Sequence, residues 1–179
     1  YDDHKAEPDE MVAHDSKETG EIIIFCPEKT TYSYYNNPTE QEKKFYKGWL
    51  YTGDIGRIDE EGFLIICDRK KDLIITGGFN VFPSELEAAA ITAENVADAI
   101  AIGVPNERRG EVPAIFVQPI AGRTVDLNEV ERVCREKLSR FKVPKEYYVM
   151  DMLPKTKNRK PDRKMVKKLY LEHAFDDQK

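Results

Sequence analysis

The sequence lacks the features of membrane-spanning, secreted and strongly basic proteins. No apolar run in the 179 residues approaches the roughly 20 residues that a helix needs to span a bilayer. The first ten residues, YDDHKAEPDE, are acidic and polar, so no signal peptide is visible. The formal net charge is −5, which argues against a general nucleic-acid-binding protein, although local patches can act against the sum. These absences indicate a soluble protein.

Cysteine and histidine are also scarce. The three cysteines (Cys26, Cys67 and Cys134) are an odd number and show no CxxC spacing. They end apolar runs or fall on an apolar helical stripe, which predicts buried, reduced thiols and suits a cytoplasmic protein. The three histidines are scattered and flanked by charge, so neither metal binding nor catalysis is assigned to them.

Two parts of the chain differ in their pattern. Apolar residues make up 40% and charged residues 34%, a composition typical of globular proteins. Residues 1–69 are strand-rich and begin with an irregular acidic stretch that starts at Tyr1 without a methionine, as expected of a piece of a larger protein. Residues 70–179 alternate strands and helices and carry enough apolar surface for a small α+β domain.

Short apolar runs predict the strands. They are expected over 21–25, 63–66 (FLII), 73–76 (LIIT), 96–104, 112–117 and 147–150. FLII and LIIT are apolar enough to be core strands. Pro113 suggests that its strand lies at an edge or contains a bulge, because proline cannot donate to a sheet. A polar-aromatic loop over 32–38 ends in Asn-Pro turn chemistry.

Apolar residues at helical spacing predict three helices. The first two are expected over 84–93 and 127–138, and the third follows residue 162. Capping motifs mark their starts: Ser84 with Glu87, Asp126 with Glu129, and Asp162.

Three polar clusters interrupt the strands in the middle of the chain. They are residues 52–54 (TGD), 68–72 (DRKKD) and 76–80 (TGGFN). Each has a purely structural interpretation: an aspartate that orders its own turn, a solvated connection, and a Gly-Gly β-turn that joins a strand to a helix. Each also places carboxylate, cationic or glycine groups where a ligand could bind.

A basic cluster lies near the C-terminus. Its eight members are Lys155, Lys157, Arg159, Lys160, Arg163, Lys164, Lys167 and Lys168. A nucleic-acid patch is one interpretation, and if all eight contacted phosphates the affinity would fall with salt at a log–log slope of about −7. No aromatic side chains interleave with the charges for base stacking. A solvated helix face is a second interpretation, which fits Lys164, Lys167 and Lys168.

The motifs together resemble a known family. Residues 51–87 and PKTKNRKPDRK at 154–164 are similar to the C-terminal part of the adenylate-forming (AMP-binding) superfamily, and in particular to its acyl-CoA synthetase branch. The superfamily also includes peptide-synthetase adenylation domains and firefly luciferase. The resemblance runs over about residues 20–171 in the family's order and spacing, and several linked motifs are far more specific than one.

The resemblance implies roles in nucleotide binding and domain rotation. Asp54 matches the aspartate that holds the nucleotide ribose, and Arg69 matches an arginine of the ribose and phosphate region. The alternative for Arg69 is a surface ion pair with Asp68 or Asp72, which would contribute little to stability. Lys71 falls at the hinge about which the small domain rotates between two half-reactions.

Lys160 is the catalytic residue that the resemblance implies. It matches the lysine of a Pro-x-Thr-x-x-Gly-Lys element, which reaches the acyl carboxylate and the α-phosphate. Arg159 replaces the usual glycine of that element. Arginine is expected to fit most loop conformations, so Lys160 is retained, with Lys157 as the second choice.

A CoA site is implied as well. Gly77, Gly78 and Phe79 match the loop that lines the pantetheine channel, where paired glycines would leave room for the ligand because they have no β-carbon. Phe141 and Lys145 match a region near the adenine and phosphates of CoA, although Val143 stands where a basic residue is common.

The implied protein is larger than this chain. Residues 1–69 correspond to the end of a large nucleotide-binding domain, and residues 70–179 to a mobile C-terminal lid of α+β fold with a mixed sheet. The expected cofactors are ATP/AMP and CoA, with Mg²⁺ bound together with ATP through ligands outside this chain. The expected partners are a carboxylic acid and the missing N-terminal domain, with no nucleic acid.

The implied reaction joins a carboxylic acid to CoA through an acyl-adenylate. A fatty acid is the expected substrate, because residues 68–85 resemble bacterial fatty acyl-CoA synthetases. No glycine- and threonine-rich phosphate loop is present, so the chain alone is predicted to be inactive. Two alternatives stay open: a peptide-synthetase-type adenylation domain that loads a carrier protein, and a basic-patch nucleic-acid-binding module.

Overall fold

The computed structural model describes residues 7–26, 37, 39, 43–172 and 174–178. The predicted loop over 32–38 lies outside these residues, except for Asn37. The chain divides into two compact units, one up to Lys71 and the other from Asp72 onward. The assignment of residues 1–69 and 70–179 to a nucleotide-binding domain and a mobile lid stays a prediction.

The first unit is an antiparallel sheet built around one long strand. Its strands are β1 (Gly20–Phe25), β2 (Phe45–Tyr46), β3 (Trp49–Ile58) and β4 (Leu64–Arg69). The central strand β3 pairs with the other three. The predicted strand over 21–25 is confirmed.

The apolar strand β4 is not a core strand of this unit. Phe63, Leu64 and Ile66 expose 64%, 54% and 68% of their surface. Among the described residues β4 pairs with β3 only, so no strand covers its other edge. The prediction that FLII is core is therefore wrong, whereas Ile74 of LIIT is 1% exposed and belongs to the core of the second unit.

The second unit combines a five-stranded mixed sheet with three helices among its described residues. Its elements in chain order are β5 (Ile74–Thr76), β6 (Phe79–Val81), α1 (Pro83–Ala90), β7 (Val96–Asn106), β8 (Gly110–Pro119), α2 (Leu127–Lys137), β9 (Glu146–Val149) and α3 (Arg163–Leu171). The order is β6-β5-β8-β7, and β9 pairs with β8 in parallel while the other pairs are antiparallel. The predicted α+β class is confirmed.

Pro113 lies in the middle of β8, which is a central strand. β8 has β7 on one side, and on the other side it meets first β5 at Gly110 and then β9 from Ala114 onward. The Pro113 carbonyl accepts from the Lys145 amide at 2.8 Å, so the proline nitrogen also faces this second side. The missing N–H therefore falls where the partner strand changes. The expected edge or bulge at Pro113 is wrong for this reason.

Two of the three predicted helix starts are confirmed. The Asp126 carboxylate accepts from the Asn128 amide, and the Asp162 carboxylate accepts from the Met165 amide. The Ser84–Glu87 capping box is wrong, because the helix begins earlier, with Phe82 at the N-cap and Pro83 in the first turn. Ser84 thus lies inside the helix, where its hydroxyl cannot act as the N-cap acceptor.

The sheet of the second unit is covered on both faces. Alternate residues of β8 point into two apolar clusters: Ile115 and Val117 pack with α1 and α2, whereas Phe116 packs with α3. The Phe116 ring stacks on Tyr148 with centroids 4.9 Å apart. This core fixes the loops that leave the ends of the strands.

The prediction of buried thiols holds for one cysteine of three. Cys134 is fully buried in the core, and burial raises the pKa of its thiol to about 11. Cys26, which follows β1, and Cys67, which lies in β4, are both partly exposed. All three are free thiols. No helix among the described residues is long and apolar enough to cross a membrane.

Candidate functional site

Asp54 and Arg69 lie side by side on the sheet of the first unit. They are register partners on β3 and β4, and Arg69 Nε lies 2.7 Å from Asp54 Oδ1. The two side chains therefore point to the same face, and Arg69 pairs with Asp54, not with Asp68 or Asp72 as the alternative supposed. About half of the Arg69 side chain is exposed, so the pair contributes little to stability.

Asp54 belongs to a β-bulge and not to a turn. The pairing of β3 with β1 runs from Ile23↔Tyr51 to Glu21↔Ile55, so residues 52–54 face Ile22 alone. Gly53 adopts φ 77, which glycine tolerates best. Bulges re-aim side chains and are frequent beside active sites. The Thr-Gly-Asp motif thus forms the bulge against β1, while Asp54 stays in register with Arg69 of β4.

Two side chains hold this bulge in place. The Thr52 hydroxyl donates to the Ile22 carbonyl at 2.7 Å, and the Gly53 amide donates to Glu21 at 3.0 Å. Glu21 also forms an ion pair with Lys70 at 2.8 Å. No local pattern points to Glu21, because its partners lie 32 and 49 residues away.

Lys71, the predicted hinge residue, is exposed and lies in a single 3₁₀ turn (Lys70–Asp72). The boundary between the two compact units follows it directly. Its role in a rotation stays a prediction.

Gly77 and Gly78 form the tip of a β-hairpin. They connect β5 to β6 with φ angles of 57 and 84, as a two-residue turn with two left-handed residues requires. Nothing lies within 4 Å of a β-carbon added to either glycine. The glycines are therefore needed here for their backbone conformation, and the space beside both is open. Their role in leaving room for CoA stays a prediction. The turn leads into the strand β6 instead of a helix.

Phe79 and Phe141, which the sequence places 62 positions apart, form a ring pair beside this hairpin. Their centroids are 4.9 Å apart, and Phe79 exposes 56% of its surface. The nearby cation is Lys142, whose Nζ lies 5.8 Å from the Phe141 ring centroid and 2.7 Å from Glu85. Sequence reasoning missed Lys142.

Lys145 has different neighbours. Its side chain lines a cleft of about 530 Å³ together with Glu131, Glu146 and Tyr147. The Tyr147 hydroxyl is buried and has no hydrogen-bond partner among the described residues, and burial raises its pKa.

Ion pairs occupy half of the basic cluster. Lys155 pairs with Asp98, Arg163 with Glu87, Lys167 with Glu111 and Lys168 with Glu172. Among the described residues no acidic side chain pairs with Lys157, Arg159, Lys160 or Lys164, and Lys160 is exposed. A continuous nucleic-acid patch of eight free cations is therefore not present.

The loop that carries Lys160 is closed by backbone hydrogen bonds. Lys155 and Pro161 form a bridge, and the Asp162 amide donates to the Pro154 carbonyl at 2.9 Å. Arg159 adopts φ 58, the left-handed region. This conformation costs a residue with a β-carbon about 1 kcal/mol. Arginine thus occupies this loop, as expected, but in a conformation that a glycine would adopt more readily.

Glu87 is the buried anchor next to this loop. Its carboxylate accepts from Arg163 Nη2 at 2.7 and 2.9 Å and from the Ala101 amide at 2.8 Å, and its side chain is 12% exposed. Glu87 thereby joins α1, β7 and the start of α3. The sequence analysis predicted a capping role for Glu87. Its actual partner, Arg163, lies 76 residues away and leaves no local signal.

The described residues contain no group of three or more His, Cys, Asp or Glu side chains that could hold a metal ion. The candidate site residues fall in two groups. Asp54 and Arg69 lie in the first unit, and the glycine hairpin, the ring pair, Lys145 and Lys160 lie in the second.

Comparison with known proteins identifies the class of this fold. Residues 85–160 match the family described as AMP-binding enzyme C-terminal domain. The chain is homologous to the C-terminal portion of CoA ligases in the adenylate-forming superfamily, and the resemblance predicted from the motifs is confirmed.

Individual relatives are CoA ligases. The chain is 41% identical over 152 residues to a 2-succinylbenzoate–CoA ligase of Geobacillus sp. strain WCH70, covering 85% of this chain and 31% of the relative. It is 43% identical over 139 residues to a long-chain-fatty-acid–CoA ligase of Bacillus subtilis, covering 78% and 25%. The chain thus spans about a third or less of the length of these relatives.

A solved structure agrees with the sequence relatives. The o-succinylbenzoate CoA synthetase of Bacillus subtilis, in complex with an acyl-adenylate intermediate, superimposes with a TM-score of 0.78 at 36% identity. The match covers 90% of this chain and 32% of that protein.

Proposed function

We propose that this chain is the C-terminal part of an ATP-dependent acyl-CoA synthetase. Such an enzyme converts a carboxylic acid, ATP and CoA to acyl-CoA, AMP and pyrophosphate through an acyl-adenylate. The observation that carries the proposal is the identity of about 40% to CoA ligases over most of the chain. The matched region of 152 residues is longer than either compact unit, so it includes residues of both.

Asp54 and Arg69 are proposed to hold the nucleotide. The Asp54 side chain is 31% exposed, and a carboxylate offers two acceptor oxygens to the two vicinal hydroxyls of a ribose. The ion pair at 2.7 Å fixes the orientation of the carboxylate before the nucleotide binds. Arg69 adds a cation next to the phosphates.

Lys160 is proposed to stabilise the charge that develops on the α-phosphate as pyrophosphate leaves. It is exposed, it is held on a closed loop, and no acidic side chain among the described residues neutralises it. An ammonium group about 4 Å from a phosphoryl oxygen contributes roughly 4 kcal/mol at an effective dielectric constant near 20. This is about three orders of magnitude in rate if the contact forms only in the transition state.

The glycine hairpin and the ring pair are proposed to receive CoA in the second half-reaction. Phe79 exposes its ring and the partly buried Phe141 packs beside it, so the pair offers an aromatic surface on which an adenine ring can stack. Lys142 stands beside the rings, and Lys145 adds a second cation for the phosphates of CoA. Lys71 is proposed to be the pivot between the two half-reactions.

Mg²⁺ is proposed to enter together with ATP. Its ligands are proposed to be the ATP phosphates and groups of the enzyme outside this chain. The metal ion would neutralise phosphate charge there.

A fatty acid is the proposed substrate, and an aromatic keto acid of the succinylbenzoate type is the competing choice. The two named relatives are almost equally similar, with 43% and 41% identity, so the acid class must be measured.

The test uses the intact ligase and this chain separately. Each is incubated with ATP, Mg²⁺ and CoA and with one of several acids: fatty acids of different lengths and 2-succinylbenzoate. Thioester is measured by mass spectrometry. We expect the intact ligase to form a fatty acyl-CoA and the chain alone to form none. Absence of every thioester from the intact protein would contradict the function, and preference for 2-succinylbenzoate would contradict the acid class only.

A further inference from the structure

The loop from Pro154 to Asp162 depends on one residue for the position of Lys160. Thr156 makes three hydrogen bonds to the two residues that precede Pro161. Its amide donates to the Lys160 carbonyl at 2.8 Å, and its carbonyl accepts from the Arg159 amide at 2.8 Å. Its hydroxyl oxygen accepts from the Lys160 amide at 3.2 Å. Both backbone polar groups of Lys160 therefore bond to Thr156.

The hydroxyl bond is the one that a side-chain change can remove. A valine at position 156 would keep both backbone bonds and the branched shape, but it would leave the Lys160 amide without its acceptor. The neighbouring Arg159 sits at φ 58, a conformation it does not favour by itself. The hydroxyl bond opposes the relaxation of Arg159, and it thereby fixes the peptide plane from which the Lys160 side chain leaves.

The two ends of the loop are held independently of Thr156. Lys155 pairs with Asp98 of β7 at 2.9 Å, and Arg163 pairs with Glu87 of α1 at 2.7 Å. Leu153 is buried, and its amide donates to Gln118 at 2.8 Å. A change in the Thr156 hydroxyl therefore acts on the tip of the loop and leaves its base in place.

We propose that Thr156 is a positioning residue for Lys160: its hydroxyl holds the lysine backbone in the orientation that acyl-adenylate formation requires. The proposal rests on the proposed function, in which Lys160 acts in the first half-reaction. Thr156 itself contacts no reacting atom in this account. Its effect should therefore appear in adenylation and not in thioester formation.

The kinetic test uses Thr156→Val and Thr156→Ser in the intact ligase. Adenylation is measured by ATP–pyrophosphate exchange, and thioester formation by adding CoA to chemically prepared acyl-adenylate. Since one hydrogen bond is lost, we expect Thr156→Val to lower the adenylation kcat about fivefold to tenfold. Thioester formation should change less than about twofold, and Thr156→Ser, which keeps the acceptor, should restore adenylation. An unchanged adenylation rate in Thr156→Val, or equal losses in both variants, would overturn the proposal.

A second readout does not depend on activity. Amide hydrogen exchange of Lys160 is measured by NMR in the 179-residue chain. We expect exchange at Lys160 to accelerate about fivefold in Thr156→Val and to stay near the original rate in Thr156→Ser. The Leu153 amide should be unchanged in both, which shows that the fold is intact. Unchanged exchange at Lys160 in Thr156→Val would show that the Thr156 hydroxyl does not hold the Lys160 amide, and the proposal would fail.

The two readouts separate this proposal from the proposed function. If the intact protein forms no acyl-adenylate with any acid, the proposed function fails, and amide exchange still decides whether Thr156 holds Lys160. If the protein forms acyl-adenylate and exchange changes while adenylation does not, the positioning role alone is overturned.

Discussion

Arg159 shows how a single position reveals the conformation of a loop. The family's element carries glycine there, and this chain has arginine at φ 58. The sequence identified the substitution correctly, but it could not show the sign of φ, because that depends on the bonds between Thr156 and Lys160 across the loop. The consequence is a strained residue next to the proposed catalytic lysine.

At the residue scale, substitution of Gly78 tests whether this glycine serves CoA binding in addition to its backbone conformation. Replacing Gly78 by alanine should destabilise the second unit by about 1 kcal/mol, since alanine disfavours the left-handed region. Gly122→Ala is the matched control, because Gly122 has φ 74 and equally open surroundings in another turn. Both variants should lose similar stability in urea unfolding. Only Gly78→Ala should raise the KM for CoA in the intact ligase, and an equal KM in both variants would contradict the CoA assignment.

Cys134 provides a pH-dependent prediction. Burial favours its neutral thiol and raises the pKa to about 11 from an ordinary value of 9.0. This stabilising contribution is complete below about pH 9, where the thiol is protonated in both states, and it is lost as the pH rises toward 11. We expect the free energy of unfolding to fall by about 1–2 kcal/mol between pH 8 and pH 10.

The control for this prediction is Cys134→Val, which keeps an apolar side chain of similar size and removes the titrating group. Urea unfolding of both proteins at several pH values measures the slopes. The slope should decrease in Cys134→Val but not vanish, because burial also raises the pKa of Tyr147. Identical slopes would contradict the assignment to the Cys134 thiol.

At the element scale, the sequence predicted periodic helices well and long-range contacts poorly. α2 and its Asp126 cap follow from residues within one stretch, so their signal is local. The bulge at residues 52–54 forms against β1, which lies about 30 residues earlier in the chain. Pro113 is tolerated in β8 because the neighbouring strand changes there from β5 to β9. These features depend on which strands pair, and no local pattern contains that information.

In the candidate site, too, local motifs could be predicted from the sequence and long-range contacts could not. Asp54, Arg69 and Lys160 stand in recognisable motifs, and the structure shows the first two in contact. Glu21 and Glu87, which hold those motifs in place, act through tertiary hydrogen bonds, and sequence reasoning missed these roles. Thr156 acts within its own loop, and its bonds to Lys160 were also not predicted. Sequence reasoning thus found residues that can perform chemistry and missed those that orient them.

The Glu87–Arg163 pair should be the strongest ionic contact of the second unit. Both side chains are largely buried, and removing one partner leaves an uncompensated charge. We expect Glu87→Gln to lower the free energy of unfolding by about 2–3 kcal/mol, below the range for fully buried pairs because some exposure remains. Arg132, which pairs with Glu129 and Glu136 on the exposed face of α2, is the control.

Chemical denaturation of both variants decides this prediction. Arg132→Gln should cost no more than about 0.5 kcal/mol, as exposed helical ion pairs usually do. A loss in Glu87→Gln as small as that would show that the buried pair does not anchor the loop.

At the scale of the whole molecule, the chain consists of two compact units that meet in sequence at Lys71. The proposed function requires a change at this junction between the half-reactions. Proline at position 71 would fix φ and restrict the preceding residue, whereas alanine would leave both free. In the intact ligase we expect Lys71→Pro to keep adenylation within about twofold and to lower thioester formation at least about tenfold.

Lys71→Ala is the control for that experiment, because it removes the same side chain and keeps the backbone freedom. It should support both half-reactions. Equal loss of thioester formation in Lys71→Ala and Lys71→Pro would attribute the effect to the side chain and contradict the pivot.

The central claim is that Lys160 stabilises the transition state of acyl-adenylate formation. The most direct measurement is the rate of ATP–pyrophosphate exchange in the intact ligase for Lys160→Met and for Lys157→Met, which removes another exposed cation, unpaired among the described residues, from the same loop. We expect Lys160→Met to lower the rate by about three orders of magnitude. Lys157→Met should stay within about twofold of the original enzyme. An unchanged rate in Lys160→Met would contradict the account.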